Sequence, residues 1–282
     1  MTTGAQNVFH VLPPLLIQTD YFDYVHHNKE VMLANIYHIV RNQLGSIRKV
    51  YLKGNKISKK GDFAQYPQTV LLLHGFFQTR NIWDVMETRL RRAGFGVISL
   101  NLGGLMWRFN TNSIVKQAEF LYAKMEKICK NHNIEHFHII GHSMGGLVAR
   151  HYVQHGGGHK RVRSLITLGS PHHGTPTALL GVGLMGLGLL SVSPLQMLPK
   201  SSLIRKLQEE DFPKDIPLTS IFSRHDIICP WWCSVLRNEK KHPKVKNYQL
   251  RGIGHSELTY HPHVFRLIQK ELSKNISAEE MG

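Results

Sequence analysis

Ile134-Glu-His-Phe-His-Ile-Ile140 runs directly into Gly141-His-Ser-Met-Gly145 and then into Gly146-Leu-Val-Ala-Arg150. The first seven residues read as a buried strand and the last five open a helix, so the glycines bracket a strand-to-helix corner. A serine at such a corner sits on strained backbone, and the flanking glycines remove side chains that would collide with the neighbouring strand and helix. Gly-x-Ser-x-Gly also arises by chance, so its setting decides. Here the strand and the helix fall on the correct sides and a second glycine extends the turn, which makes Ser143 a candidate nucleophile exposed above a sheet.

Upstream, Thr69-Val-Leu-Leu-Leu73 is a continuous apolar run, too short for most helices, and predicts a central parallel strand buried on both faces. It delivers His74-Gly75-Phe76-Phe77. Acyl transfer needs two donors aimed at the oxygen that becomes negative; the backbone N–H groups of Phe76 and Met144 are the candidates, with Gly75 letting the loop bend. Asn81 to Arg92 predicts a helix, Gly94 to Leu100 a strand, and Ser113 to Lys130 a helix with Val115, Ala118, Leu121, Tyr122, Met125 and Ile128 on its apolar side. Downstream, Arg163 to Leu168 and Pro217 to Phe222 predict strands. Alternating βα units of this kind imply a doubly wound, mostly parallel sheet.

The strand ending at Phe222 leads into Ser223-Arg-His-Asp226, which puts a carboxylate at a strand's carboxyl end, where sites gather in such sheets. Asp211 and Asp215 precede that strand and belong on its wrong side. A last strand, Lys246 to Arg251, is followed by Gly252-Ile-Gly-His255, a glycine-rich turn able to hold an imidazole over the sheet. The chain order is then Ser143, Asp226, His255. His242, His261 and His263 fall outside the turn.

Composition narrows the alternatives. At 282 residues the chain has room for one large catalytic domain, expected over 65–282, behind an N-terminal extension, 1–64, of no catalytic signal. In the extension Leu33, Tyr37, Val40, Leu44 and Ile47 recur at helical spacing, which predicts an amphipathic helix that either packs on the domain or lies basic side out on a membrane. The 35 Lys and Arg against 19 Asp and Glu predict attraction to anionic surfaces such as lipid headgroups or acidic partners. No zinc-finger spacing, aromatic RNA-binding strand or basic recognition helix accompanies the charge, which argues against nucleic acid. Three cysteines, Cys129, Cys229 and Cys233, form no disulfide framework and are expected as free thiols. With no basic start or uninterrupted apolar core of a signal peptide, the expectation is a cytoplasmic protein, membrane-associated if its charge finds anionic lipid. The 19 histidines include no His-Glu-x-x-His or paired Cys/His cluster, so neither a metal nor another cofactor is expected.

With these elements in place the chain resembles the α/β-hydrolase superfamily, and within it the bacterial triacylglycerol lipases and esterases. The matching text is Leu-Leu-His74-Gly-Phe, Gly-His-Ser143-Met-Gly-Gly-Leu-Val-Ala-Arg150, Thr-Leu-Gly-Ser-Pro171-His-His-Gly-Thr, Arg-His-Asp226 and Gly-Ile-Gly-His255-Ser. The resemblance covers about residues 69 to 272. It implies ester hydrolysis through an acyl-enzyme, with Ser143 attacking, His255 as base, Asp226 orienting His255, and Phe76 and Met144 holding the oxyanion. An acyltransferase, thioesterase or phospholipase would use the same residues, and a hydrolase-like protein that only binds lipid or a partner would keep the fold without the chemistry. No acidic cluster matches the calcium loops of family lipases. Members of the superfamily insert a lid between the strand ending near Leu168 and the one leading to Asp226; here that insertion is expected over about 174–215. Its uncharged part, Gly174 to Pro199, offers Leu180, Leu184, Met185, Leu187 and Leu190 to an acyl chain or a lipid surface, either as a mobile cover or as a fixed wall.

Overall fold

The computed structural model describes residues 65–102, 112–179, 192–237 and 242–274. The expected N-terminal helix and the five apolar residues Leu180, Leu184, Met185, Leu187 and Leu190 lie outside these. Among the described residues six strands form one sheet: β1 (Gln68–Leu73), β2 (Phe95–Leu100), β3 (Phe137–His142), β4 (Val162–Leu168), β5 (Leu218–Ser223) and β6 (Val245–Leu250), in the order β2-β1-β3-β4-β5-β6. Every pairing is parallel. The helices are α1 (Asp84–Arg92), α2 (Ile114–His132) and α3 (Met144–His155) among the described residues before β4, then α4 (Ser193–Gln196) and α5 (Ser202–Glu209) before β5, α6 (Trp231–Ser234) after it, and α7 (Pro262–Ser273) last. This is the α/β-hydrolase fold.

The apolar run in β1 is buried along its whole length because the sheet is covered on both sides. Leu71 and Leu73 join the cluster beneath α2 and α3, while Val70 and Leu72 join the one formed with α1 and α7. Burying side chains such as these contributes about 1.5–3 kcal/mol each. Chain order reverses at β1, which pairs with β2 on one side and β3 on the other, so the loops leaving β1 and β3 open a crevice between them. Leu73 lies opposite Gly141 in the register. The His74-Gly75-Phe76 loop and the Ser143 corner therefore emerge side by side.

Two expectations need correction in detail. The apolar side of α2 is Ile114, Ala118, Leu121, Met125 and Cys129; Tyr122 points outward at 46% exposure, and Val115 and Ile128 only border the core. Ala118, Leu121 and Met125 are buried as expected, and Ser113 caps the helix by accepting the Lys116 N–H. The strand expected from Ile134 begins at Phe137. Asn133 adopts left-handed backbone, and the Ile134 N–H bonds back to Cys129, so these residues close the helix. Within the stretch expected as an insertion, α5 is part of the core: Ser201 caps it, and Leu203, Ile204 and Leu207 are buried with the residues of α3. Leu179, Val192 and Leu195 are exposed apolar side chains at the described borders of the same stretch.

Candidate active site

Ser143 holds φ 53° and ψ −125°, a backbone region that non-glycine residues rarely occupy and that costs about 1–3 kcal/mol. The corner is pinned rather than free: the Ser143 N–H donates to the Leu168 carbonyl at 2.9 Å, and the Gly146 N–H donates to the Ser143 carbonyl at 3.0 Å. Gly145 cannot be larger, since a Cβ there would stand 2.4 Å from the Leu73 carbonyl oxygen and 2.6 Å from that of His74. The helix start is thus pressed onto the end of β1. Met144, the first residue of α3, has its N–H among the unpaired donors of a helix N-terminus, where partial positive charge collects.

The loop after β1 closes over the serine. A Cβ on Gly75 would lie 2.9 Å from the Ser143 Cβ, so only a glycine lets the Phe76 backbone approach the corner. His74 braces this loop, its Nδ1–H donating to the Gly75 carbonyl at 3.1 Å and its Nε2 accepting the Leu102 N–H at 3.3 Å.

Asp226 and His255 meet across 29 residues of chain. The His255 Nδ1–H donates to Asp226 Oδ2 at 2.6 Å, with Asp226 fully buried and His255 6% exposed. The other oxygen, Oδ1, accepts the N–H groups of Ile228 at 3.0 Å and Cys229 at 2.7 Å, so the carboxylate cannot rotate. A proton held on Nδ1 leaves Nε2 with its lone pair, the form that a general base requires. Asp211 and Asp215 are exposed and precede β5, while Glu257 Oε2 accepts the Gly254 N–H and shapes the turn.

Three residues that join this site were missed in the sequence. The His142 ring lies against that of His255, centroids 4.6 Å apart, and its Nε2 stands 3.1 Å from the His255 carbonyl oxygen. Its Nδ1 faces Gln78 Oε1 at 3.1 Å, and that oxygen also accepts the Gly75 N–H at 2.9 Å. His142 and Gln78 thereby join the loop after β1 to the histidine after β6. Gly169 gives clearance, as a Cβ there would stand 2.9 Å from Asp226 Oδ2 and 3.2 Å from His255 Nδ1. Cys129, Cys229 and Cys233 are free and buried. Among the described residues no three metal-ligating side chains gather, and no helix is long and apolar enough to cross a membrane.

Several of these histidines are neutral because they are dry. Burial lowers His74 to about 4 from its ordinary 6.5 and pushes His142 and His172 well below that value. For His172 the neighbouring Arg150 guanidinium adds to the effect. Folded-state values below the unfolded ones mean the stability tied to neutral rings is complete above about pH 6.5 and falls as the pH drops toward 4, where the unfolded chain binds protons that the folded chain refuses. The urea midpoint is expected to be level from pH 8 to 7 and to decline steadily below about 6.5. A midpoint that holds level down to pH 4.5 would contradict this.

A family model described as the alpha/beta hydrolase fold matches residues 68–184, from β1 past the Ser143 corner. Over that stretch the chain resembles the family and shares its fold. Similar solved structures include a carboxylesterase of the thaumarchaeon Nitrososphaera gargenis, at 17% identity over 77% of this chain and 93% of that one, with TM-score 0.53. A bromoperoxidase from Bacillus anthracis matches at 17% identity over 73% and 92%, TM-score 0.56. Lipase B of Aspergillus fumigatus matches at 18% identity over 77% of this chain and 55% of its own, TM-score 0.61. No curated protein sequence matches. At such identities the likeness is one of fold, and proteins named for different reactions share it, so the chemistry has to be argued from the site.

Proposed function

We propose that the protein is a serine hydrolase of carboxylic esters, lipid esters foremost. The observation that carries this reading is the 2.6 Å Asp226–His255 hydrogen bond at the same end of the sheet as a serine in strained elbow backbone. In the first step His255 Nε2 takes the Ser143 proton as Oγ attacks the acyl carbonyl, and the N–H groups of Phe76 and Met144 hold the oxyanion. The tetrahedral intermediate collapses, His255 gives its proton to the departing alkoxide, and the acyl group stays on Ser143. Water then attacks the acyl-enzyme with His255 again as base, which releases the acid and restores the serine. Asp226 keeps the imidazole oriented and stabilises its cationic form.

The apolar composition of Gly174 to Pro199 supports lipid esters as substrates, and the excess of Lys and Arg favours work at an anionic lipid surface. A chain-length series of p-nitrophenyl and glycerol esters, run beside phospholipids and acyl-CoA, separates lipase, esterase, phospholipase and thioesterase; added alcohol acceptors reveal acyl transfer. Lipid esters should turn over fastest, and a protein that cleaves none of these compounds defeats the proposal. If the insertion covers the cleft, Leu184→Asp or Leu187→Asp should cut hydrolysis of emulsified long-chain esters about tenfold more than that of soluble short-chain ones. Equal losses on both substrates would favour a fixed wall.

A further inference from the structure

A cavity of about 290 Å³ opens beside the starts of β5 and β6, with Leu218 and Val245 in its wall. The three proposed catalytic residues follow the opposite ends of the strands, and none of them lines it.

Arg150, on α3, reaches this cavity at 6% exposure. Its guanidinium donates to Gln154 Oε1 at 2.9 Å, to the Leu207 carbonyl and to His172 Nδ1 at 3.5 Å, all neutral acceptors. Among the described residues no carboxylate pairs with it. A buried cation without a counter-ion is costly, and burial lowers Arg150 to about 10. Arg237 lines the same cavity, its Nη2 donating to the Trp232 carbonyl at 3.2 Å, and Lys214 stands at the border. The positive field registers on the wall itself, since Arg237 and Arg150 both add to the lowering of His173 that burial begins. Of the acidic groups present, Glu210 is turned to His155 at 3.0 Å and Asp211 is exposed. Of the remaining wall, Phe212, Leu218, Leu236 and Val245 are apolar, while Gln208 is bonded to the His172 carbonyl and His173 Nδ1 and His242 Nε2 faces the Pro213 carbonyl at 2.8 Å.

We propose that this cavity binds a small amphiphilic carboxylate, its head between Arg150 and Arg237 and a short apolar body against Phe212, Leu218, Leu236 and Val245. Guanidinium groups match a planar carboxylate, and an anion here would supply the charge that Arg150 lacks. The volume stands at the small end of ligand pockets, about 300–1,000 Å³, which suits a short or medium chain rather than a long one. The apolar wall favours an organic acid over a bare inorganic anion.

Calorimetric titration of the full chain with octanoate, octanol and acetate tests the proposal. Octanoate should bind at least about tenfold more tightly than octanol, which lacks the charge, or acetate, which lacks the body. Arg237 is exposed, so Arg237→Gln should fold normally and weaken octanoate about tenfold, with Arg237→Lys between it and the wild type. Val245→Trp, which fills the cavity, should abolish binding without touching a charge. Octanoate held at the Ser143 end would be indifferent to all three changes. Unchanged affinity in both Arg237→Gln and Val245→Trp, equal affinity for octanol, or no binding of octanoate would each overturn the assignment.

Discussion

Ser143→Ala is expected to lower ester hydrolysis by about a millionfold while the protein stays folded. No other group in the site is placed to accept the acyl chain: the histidines beside it are committed to hydrogen bonds, and the cysteines of the neighbouring loop are buried with thiols pushed up by their burial. Alanine keeps the Cβ that closes against Gly75 and keeps both backbone bonds of the corner, to Leu168 and from Gly146. Nothing but the attacking oxygen is removed, so the thermal midpoint should move by no more than a few degrees. Turnover of a soluble p-nitrophenyl ester, labelling by a fluorophosphonate probe and a circular-dichroism melt report the three quantities separately. A variant that still turns over the ester at near the wild-type rate would remove Ser143 from the mechanism, whatever its backbone strain.

The sheet, and the strand ends at which the candidates Ser143, Asp226 and His255 stand, are legible in the sequence because each is written in local chemistry. A doubly buried strand such as Thr69 to Leu73 must be apolar throughout, and the turns that carry Ser143 and His255 need glycine at fixed offsets. Asp226 was found by where its strand ends. What was not legible depends on contacts between distant residues. His142 acquires its part only by lying against a ring 113 residues away, and Gln78 by accepting the Gly75 N–H with the same oxygen that faces His142 Nδ1. Neither residue carries a local sign of this. α5 was absorbed into the expected insertion because eight residues with three buried apolar side chains give too little periodicity beside a long glycine-rich run. On α2 the pattern admits Tyr122 to the apolar side for a related reason: a tyrosine satisfies it equally well whether it packs or covers the surface.

Asp226→Asn should lower kcat by about four orders of magnitude and leave KM nearly unchanged. An amide replaces the carboxylate almost atom for atom, so the loss follows from where its oxygen and its NH₂ must go. Oδ1 of the wild-type residue accepts two backbone N–H groups, from Ile228 and Cys229, in a fully buried position. Those two donors demand an acceptor, and an amide turned the other way would set its own N–H bonds against them. The amide oxygen is therefore held at the Oδ1 place, and the NH₂ takes the Oδ2 place, 2.6 Å from His255 Nδ1 in the wild type. Facing a donor, Nδ1 must accept, and the single proton of the neutral ring moves to Nε2. The imidazole then points an N–H where its lone pair is needed and cannot take the proton of Ser143. Substrate binding draws on none of these atoms, which is why KM should hold. Glu257→Gln is the matched control: its carboxylate accepts the Gly254 N–H and shapes the turn, so it should cost less than about tenfold. A small loss at Asp226 beside a loss of a thousandfold or more at Glu257 would transfer the orienting acid from the strand end to the histidine turn.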